Sequence, residues 1–154
     1  MFAAALALHL LFATAWVGGM FFAYHVLRPV AADRLEPPER LALWRGVFHR
    51  FFPWVWLAAI GLPVTGYGLV FGLYGGLANV GWHVHLMQGL GWLMILLFAG
   101  LFFGPWRTLR EALDRRELPA AGAALNRIRR IVGVNLLLGA VTVAVAGGGR
   151  LLPF

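Results

Sequence analysis

Four stretches of this chain are apolar and long enough to cross a lipid bilayer, which takes roughly 20 helical residues. They run over about 2–27, 51–73, 82–103 and 131–148. Hydrocarbon offers the backbone no water, so each stretch must close its own hydrogen bonds as a helix. The expected architecture is an all-α integral membrane protein, with residues 1–154 forming a single transmembrane four-helix bundle. Composition agrees: 61% of residues are hydrophobic and only 12% charged. A soluble domain carries about 25% charged residues, and this surface could not be solvated with half of that. The same apolar content excludes disorder. Pro53 is expected in the first turn of the second span, where a missing N–H costs little. Pro63 lies deeper and should kink that helix. No basic segment precedes the first apolar run, so it reads as a span and not as a cleavable signal peptide.

Charge sets the expected topology. The six acidic residues fall in two connectors: Asp33, Glu36 and Glu39, then Glu111, Asp114 and Glu117. All 13 basic residues are arginine, and 12 of them crowd the same two connectors or their flanks. Arg28, Arg34, Arg40, Arg45 and Arg50 surround the first; Arg107, Arg110, Arg115, Arg116, Arg127, Arg129 and Arg130 surround the third. Residues 74–81, which join the second and third spans, carry no charge, and the tail carries only Arg150. The positive-inside rule therefore puts both termini and the second connector outside the cytoplasm. The net charge of +7 is a topology signal, and nucleic acid is not an expected partner. The stretch from Leu109 to Arg130 reads as an amphipathic, arginine-rich helical pair broken at Pro119, lying against anionic headgroups.

A shift of 76 residues lays the first span on the third: His9 on His85, Trp16 on Trp92, Phe22-Ala23 on Phe98-Ala99, Pro29 on Pro105. Spans two and four match only weakly. This reads as a duplicated two-helix hairpin, whose copies would be related by an axis along the membrane normal. That symmetry would set His9 and His85 at equal depth on facing helices, with Trp16 and Trp92 one heptad below them.

An ionisable residue inside a span is costly and is a functional candidate by default. His9 sits about 10 Å below the start of its helix, at 1.5 Å per residue. His83 and His85 point about 200° apart on a regular helix; Gln88 and Trp92 share the His85 side, which makes His85 the expected inward ligand. His25 and His49 lie near the cytoplasmic surface and read as solvated there. Cysteine, lysine and serine are absent. Thiolate metal sites and serine nucleophiles are thereby excluded, and the histidines hold most of the available chemistry. Asn135 is expected to bond across helices.

Two histidines at matched depth in a four-helix bundle form an axial pair for haem iron. Trp16, Trp92, Phe12 and Tyr67 would wall a porphyrin, and Arg150 is placed to meet a propionate. Copper is the alternative cargo, because imidazole suits copper and thioether suits Cu(I); His83, His85 and Met87 would supply that set at the outer mouth.

The run His9 to Phe22 (HLLFATAWVGGMFF), followed by Leu27-Arg28-Pro29, resembles the CopD family of bacterial membrane proteins. So do Phe48 to Trp54 (FHRFFPW), Val84 to Gly91 (VHLMQGLG) and Arg127 to Asn135 (RIRRIVGVN). The resemblance implies a multi-pass protein of the bacterial inner (cytoplasmic) membrane, in a family named for copper resistance and uptake. The first-span pattern, His then Trp-x-Gly, is also similar to HemJ-type protoporphyrinogen oxidases, small four-helix haem-binding membrane proteins. Their His-x-Lys pair corresponds to His83-Val84-His85, with His85 in the lysine position.

The leading expectation is a b-type haem held between His9 and His85, serving electron transfer or oxidation. Its partners would be the lipid bilayer and a redox partner or small lipophilic substrate, with a homo-oligomer left open. Copper binding or transport through His83, His85 and Met87 is the alternative, and a structural membrane subunit the third reading.

The topology is directly testable because the chain has no cysteine. In intact cells, a membrane-impermeant maleimide should label Asn79→Cys and spare Arg116→Cys; the reverse pattern would invert the orientation.

Overall fold

The computed structural model describes residues 1–149, and every regular element among them is helical. α1 (Phe2–Phe21) passes through a π-helical turn (Phe22–Leu27) into α2 (Arg28–Arg34). α3 (Pro37–Tyr74) is followed by a 3-10 turn (Leu77–Asn79), then α4 (Trp82–Phe103), α5 (Pro105–Asp114) and α6 (Leu118–Gly148). Among the described residues, four helical runs are long and apolar enough to cross a membrane: Phe2–Arg34, Pro37–Tyr74, Trp82–Asp114 and Leu118–Gly148. The protein is an all-α, four-span membrane protein.

The helices outrun the apolar stretches at the arginine-rich end. α3 starts at Pro37 and α6 at Leu118, well before the apolar stretches that begin at about 51 and 131. Hydropathy marks where a helix meets lipid, whereas the helix itself continues until its amide ladder is interrupted. Pro53 accordingly lies inside α3 together with Pro63, not in a first turn. The helical pair is interrupted where expected: α5 ends at Asp114 and Pro119 stands in the first turn of α6, where proline is tolerated. At the other end, Gly75 closes α3 in a left-handed conformation at φ 71°, which glycine adopts without a Cβ clash.

The bundle is two hairpins side by side: α1 pairs with α3, α4 pairs with α6, and α1 also touches α6. Apolar burial gains little over lipid contact, so close fit must hold transmembrane helices together. In the first hairpin that fit comes from rings seated on glycines. Phe2 covers Gly72, Phe12 covers Gly61, and Phe51 covers Gly19, each so closely that a Cβ added to the glycine would overlap the ring. Gly139 of α6 receives Met94 of its own hairpin and Val17 of α1 in the other, with 3.2 Å and 2.9 Å to an added Cβ. Asn135, 3% exposed, donates from Nδ2 to the Met94 carbonyl across α4 and α6 at 3.2 Å, as its sequence position suggested.

The tightest packing lies between mid-membrane and the arginine-rich end. Trp44, Phe48 and Phe52 stack up α3 with successive ring centroids 5.1 Å apart. Phe98 of α4 closes on this column through Phe52 at 5.5 Å and Trp56 at 5.1 Å. α5 is part of the same core: Leu109 and Ile128 of α6 are fully enclosed. It packs against α6 because Trp106, Leu109 and Ala112 form a buried stripe at helical spacing. Arg45 reaches across to Asp114 at 2.7 Å and fastens α3 to the end of α5. In the opposite half, buried positions thin out to Val70, Gly76, Val80 and Gly149.

The ring-on-glycine packing predicts a position-specific cost. Gly61→Leu should lower stability by about 1–3 kcal/mol, the usual penalty of overpacking. Gly68→Ala, where nothing lies within 4 Å of an added Cβ, should be neutral or stabilising. Thermal unfolding of the detergent-purified protein distinguishes the two.

Candidate functional site

The candidate ligands all lie in the loosely packed half of the bundle. His9 projects from α1 onto α3, where its Nδ1 lies 2.8 Å from Thr65 Oγ1. Thr65 donates its own hydroxyl proton to the Gly61 carbonyl at 2.6 Å. A hydroxyl has one proton to give, so His9 Nδ1 is the donor in this pair. That fixes the tautomer and leaves Nε2 as the basic nitrogen. The ring fits because residue 66 is glycine: an added Cβ would stand 3.2 Å from His9 Cε1. His9 is thus the polar member of the same series of rings that seats Phe2 and Phe12 on α3.

The other flank of α3 carries a second polar group. Gln88 Nε2 and Trp92 Nε1 of α4 both donate to the Tyr67 hydroxyl, the latter at 3.2 Å. His85 lies three residues before Gln88 and seven before Trp92, so it shares their face. That face is open, and His85 is exposed. Thr65 and Tyr67 are two residues apart and point about 200° away from each other around α3. His9 and the His85 face are therefore directed to opposite flanks of one helix, and the structure does not bring these histidines together.

The 76-residue equivalence fails at the level of faces for the same reason. Trp16 is 3% exposed and packs edge-on against Phe98 with centroids 6.1 Å apart, whereas Trp92 is 45% exposed. Helix α4 buries Met94, Phe98 and Leu101, a stripe that excludes Trp92. Each helix turns to the core whichever face its own neighbours demand. Trp16 and Trp92 do not wall a common space.

At the start of α4 the enclosed histidine is His83, not His85. Its ring folds over Gly81, and its Cβ lies 2.7 Å from a Cβ added at Gly149, the residue capping α6. His83 and Met87 are one turn apart, both half-buried, on a face distinct from that of His85. Among the described residues no three His, Asp or Glu side chains are grouped to share a metal ion. Arg150, the expected propionate partner, lies outside the described residues.

A family model described as Copper resistance protein D matches residues 45–148, more than half of the chain. The chain belongs to the CopD family. No curated protein and no solved structure matches it, and none of these findings supports the second resemblance, to HemJ-type protoporphyrinogen oxidases. The CopD match includes α4 and α6, with His83, His85, Met87 and Trp92, and begins after His9 and Trp16.

Thr65 and Tyr67 are the residues whose polar roles the CopD-family sequence least advertises. Thr65-Gly66 interrupts an apolar stretch opposite His9 in an antiparallel hairpin, and that coincidence of depth was the available signal. A double-mutant cycle tests the pair: His9→Phe and Thr65→Val should show a coupling of about 0.6 kcal/mol or more, the range for membrane hydrogen bonds. Additive losses in thermal unfolding would show that the contact contributes nothing.

Proposed function

We propose that this CopD-family protein binds copper ions in the bacterial inner membrane, at the end of the bundle remote from the arginine-rich connectors. The observation that carries the reading is His83 and Met87, one turn apart on a single half-buried face beside Gly149. The thioether is a soft donor that suits Cu(I) and imidazole binds copper well, and among the described residues an oxygen-rich set for magnesium or calcium is missing from this surface. His85 sits one turn's width away on the exposed side and would serve as a receiving ligand from solvent. The copper is cargo in this reading, handed into or out of a loosely packed half-bundle.

A second reading, a b-type haem with an electron-transfer role, is favoured by one observation. His9 Nδ1 donates to Thr65, so Nε2 keeps its lone pair for a metal. For His85 to reach the same haem as His9, α4 would have to turn its open face around the flank of α3.

One preparation separates the two. Purified protein exposed to Cu(I) and then desalted should retain copper. His83→Ala and Met87→Leu should each weaken retention at least tenfold, while His9→Ala leaves it unchanged. Retention that ignores both substitutions would overturn the copper reading. A Soret band in the same sample that vanishes with His9→Ala would establish the haem reading in its place.

A further inference from the structure

The arginine-rich end of the bundle holds a cavity that copper chemistry does not use. It measures about 370 Å³ and is lined by Tyr24, Arg28, Asn126, Arg129 and Arg130, between the π-helical turn with α2 and the start of α6. A smaller hollow of about 170 Å³ adjoins it, shares Asn126 and Arg129, and adds Arg40 with an apolar wall.

The donors around this cavity are short of acceptors. Arg129 is half-buried, and its Nε is buried with no hydrogen-bond partner among the described residues. Its NH1 donates to Asn126 Oδ1 at 3.2 Å, which satisfies one N–H and no charge. Arg28 and Arg40 are its electrostatic neighbours, so like charges converge here. The ion pairs among the described residues, Arg45–Asp114 and Arg107–Glu111, lie elsewhere. A half-buried guanidinium with no counter-charge and an unpartnered buried N–H is costly, and the converging like charges add to that cost.

The geometry is also held in place. Tyr24 packs against Gly133 of α6, 3.2 Å from an added Cβ, and Arg28 Cζ lies 5.0 Å above the Tyr24 ring. This cation–π contact holds the Arg28 guanidinium over the Tyr24 ring. The π-helical turn Phe22–Leu27 carries Tyr24 and leads straight into Arg28. Such turns are rare and frequently mark functional sites.

We propose that this cavity binds a net-anionic phosphate group, carried by a phospholipid headgroup or free in solution. Arginine forks match phosphate oxygens in pairs, and the cavity lies at the arginine-rich end of the spanning helices, where α1 passes through its π-helical turn into α2. This assignment is independent of what the opposite end of the bundle binds.

The test uses full-length protein in two arms. In nanodiscs, native mass spectrometry compares adducts of phosphatidylglycerol with those of phosphatidylcholine; in detergent, inorganic phosphate is titrated against the thermal midpoint. Preferential phosphatidylglycerol adducts identify the lipid source, and a saturable rise of the midpoint with phosphate identifies the free anion. In either case Arg129→Gln should weaken binding about tenfold, as expected for the loss of a charge-assisted hydrogen bond. Arg110→Gln, which removes the same charge beside Trp106, should not. Arg28→Gln, at the rim, gives the same readout if Arg129→Gln does not fold. No saturable effect of phosphate together with no preference for the anionic lipid, or equal losses from the cavity variants and Arg110→Gln, would overturn the proposal.

Discussion

Close fit between α1 and α3 is the contact on which the rest of this bundle depends. Within hydrocarbon, one apolar helix gains little from touching another, because lipid tails offer the same contacts. What remains is shape, and here it is supplied by Phe2, Phe12 and Phe51 resting on Gly72, Gly61 and Gly19. Those contacts set the rotation of α1 about its own axis. That rotation turns Trp16 and Met20 toward the core, where both are 3% exposed, and puts His9 against Thr65 and Gly66. The same principle recurs where Val17 and Met94 meet Gly139 and joins the two hairpins.

Packing is distributed unevenly, and the unevenness divides the labour of the molecule. The arginine-rich half is cemented by the Trp44–Phe48–Phe52 column, by Phe98, and by α5 folded against α6. The other half holds His9, His83 and His85, the thioether of Met87 and the Tyr67–Gln88–Trp92 group, with few buried residues between them. Polar groups in this half occur as small satisfied sets, as expected where an unpaired donor in hydrocarbon is costly.

The candidate site was only partly legible. The histidines stood out because an ionisable group in an apolar span is conspicuous, and His83, His85 and Met87 fall within the stretch that matches the CopD family. Which histidines meet was not legible, since identical spacing in two helices does not fix their rotation. His9 and His85 share a register in the sequence yet face opposite flanks of α3. His83, and not His85, is the enclosed member of its pair, because the first turn of α4 packs its ring over Gly81 against the end of α6.

Hydropathy and length by themselves determined that this chain forms four membrane-spanning helices, because a backbone in hydrocarbon has no alternative to bonding itself along each apolar run. The clustering of acids and arginines in two connectors likewise determined which ends of the helices lie together. Only the tertiary structure decided where the helices end, that α5 joins the core, and which face each helix turns inward. Those outcomes depend on rings finding glycines across an interface and on a buried stripe such as Met94–Phe98–Leu101 displacing Trp92 to the outside. Such matches are made between helices and leave no periodic mark on either one alone.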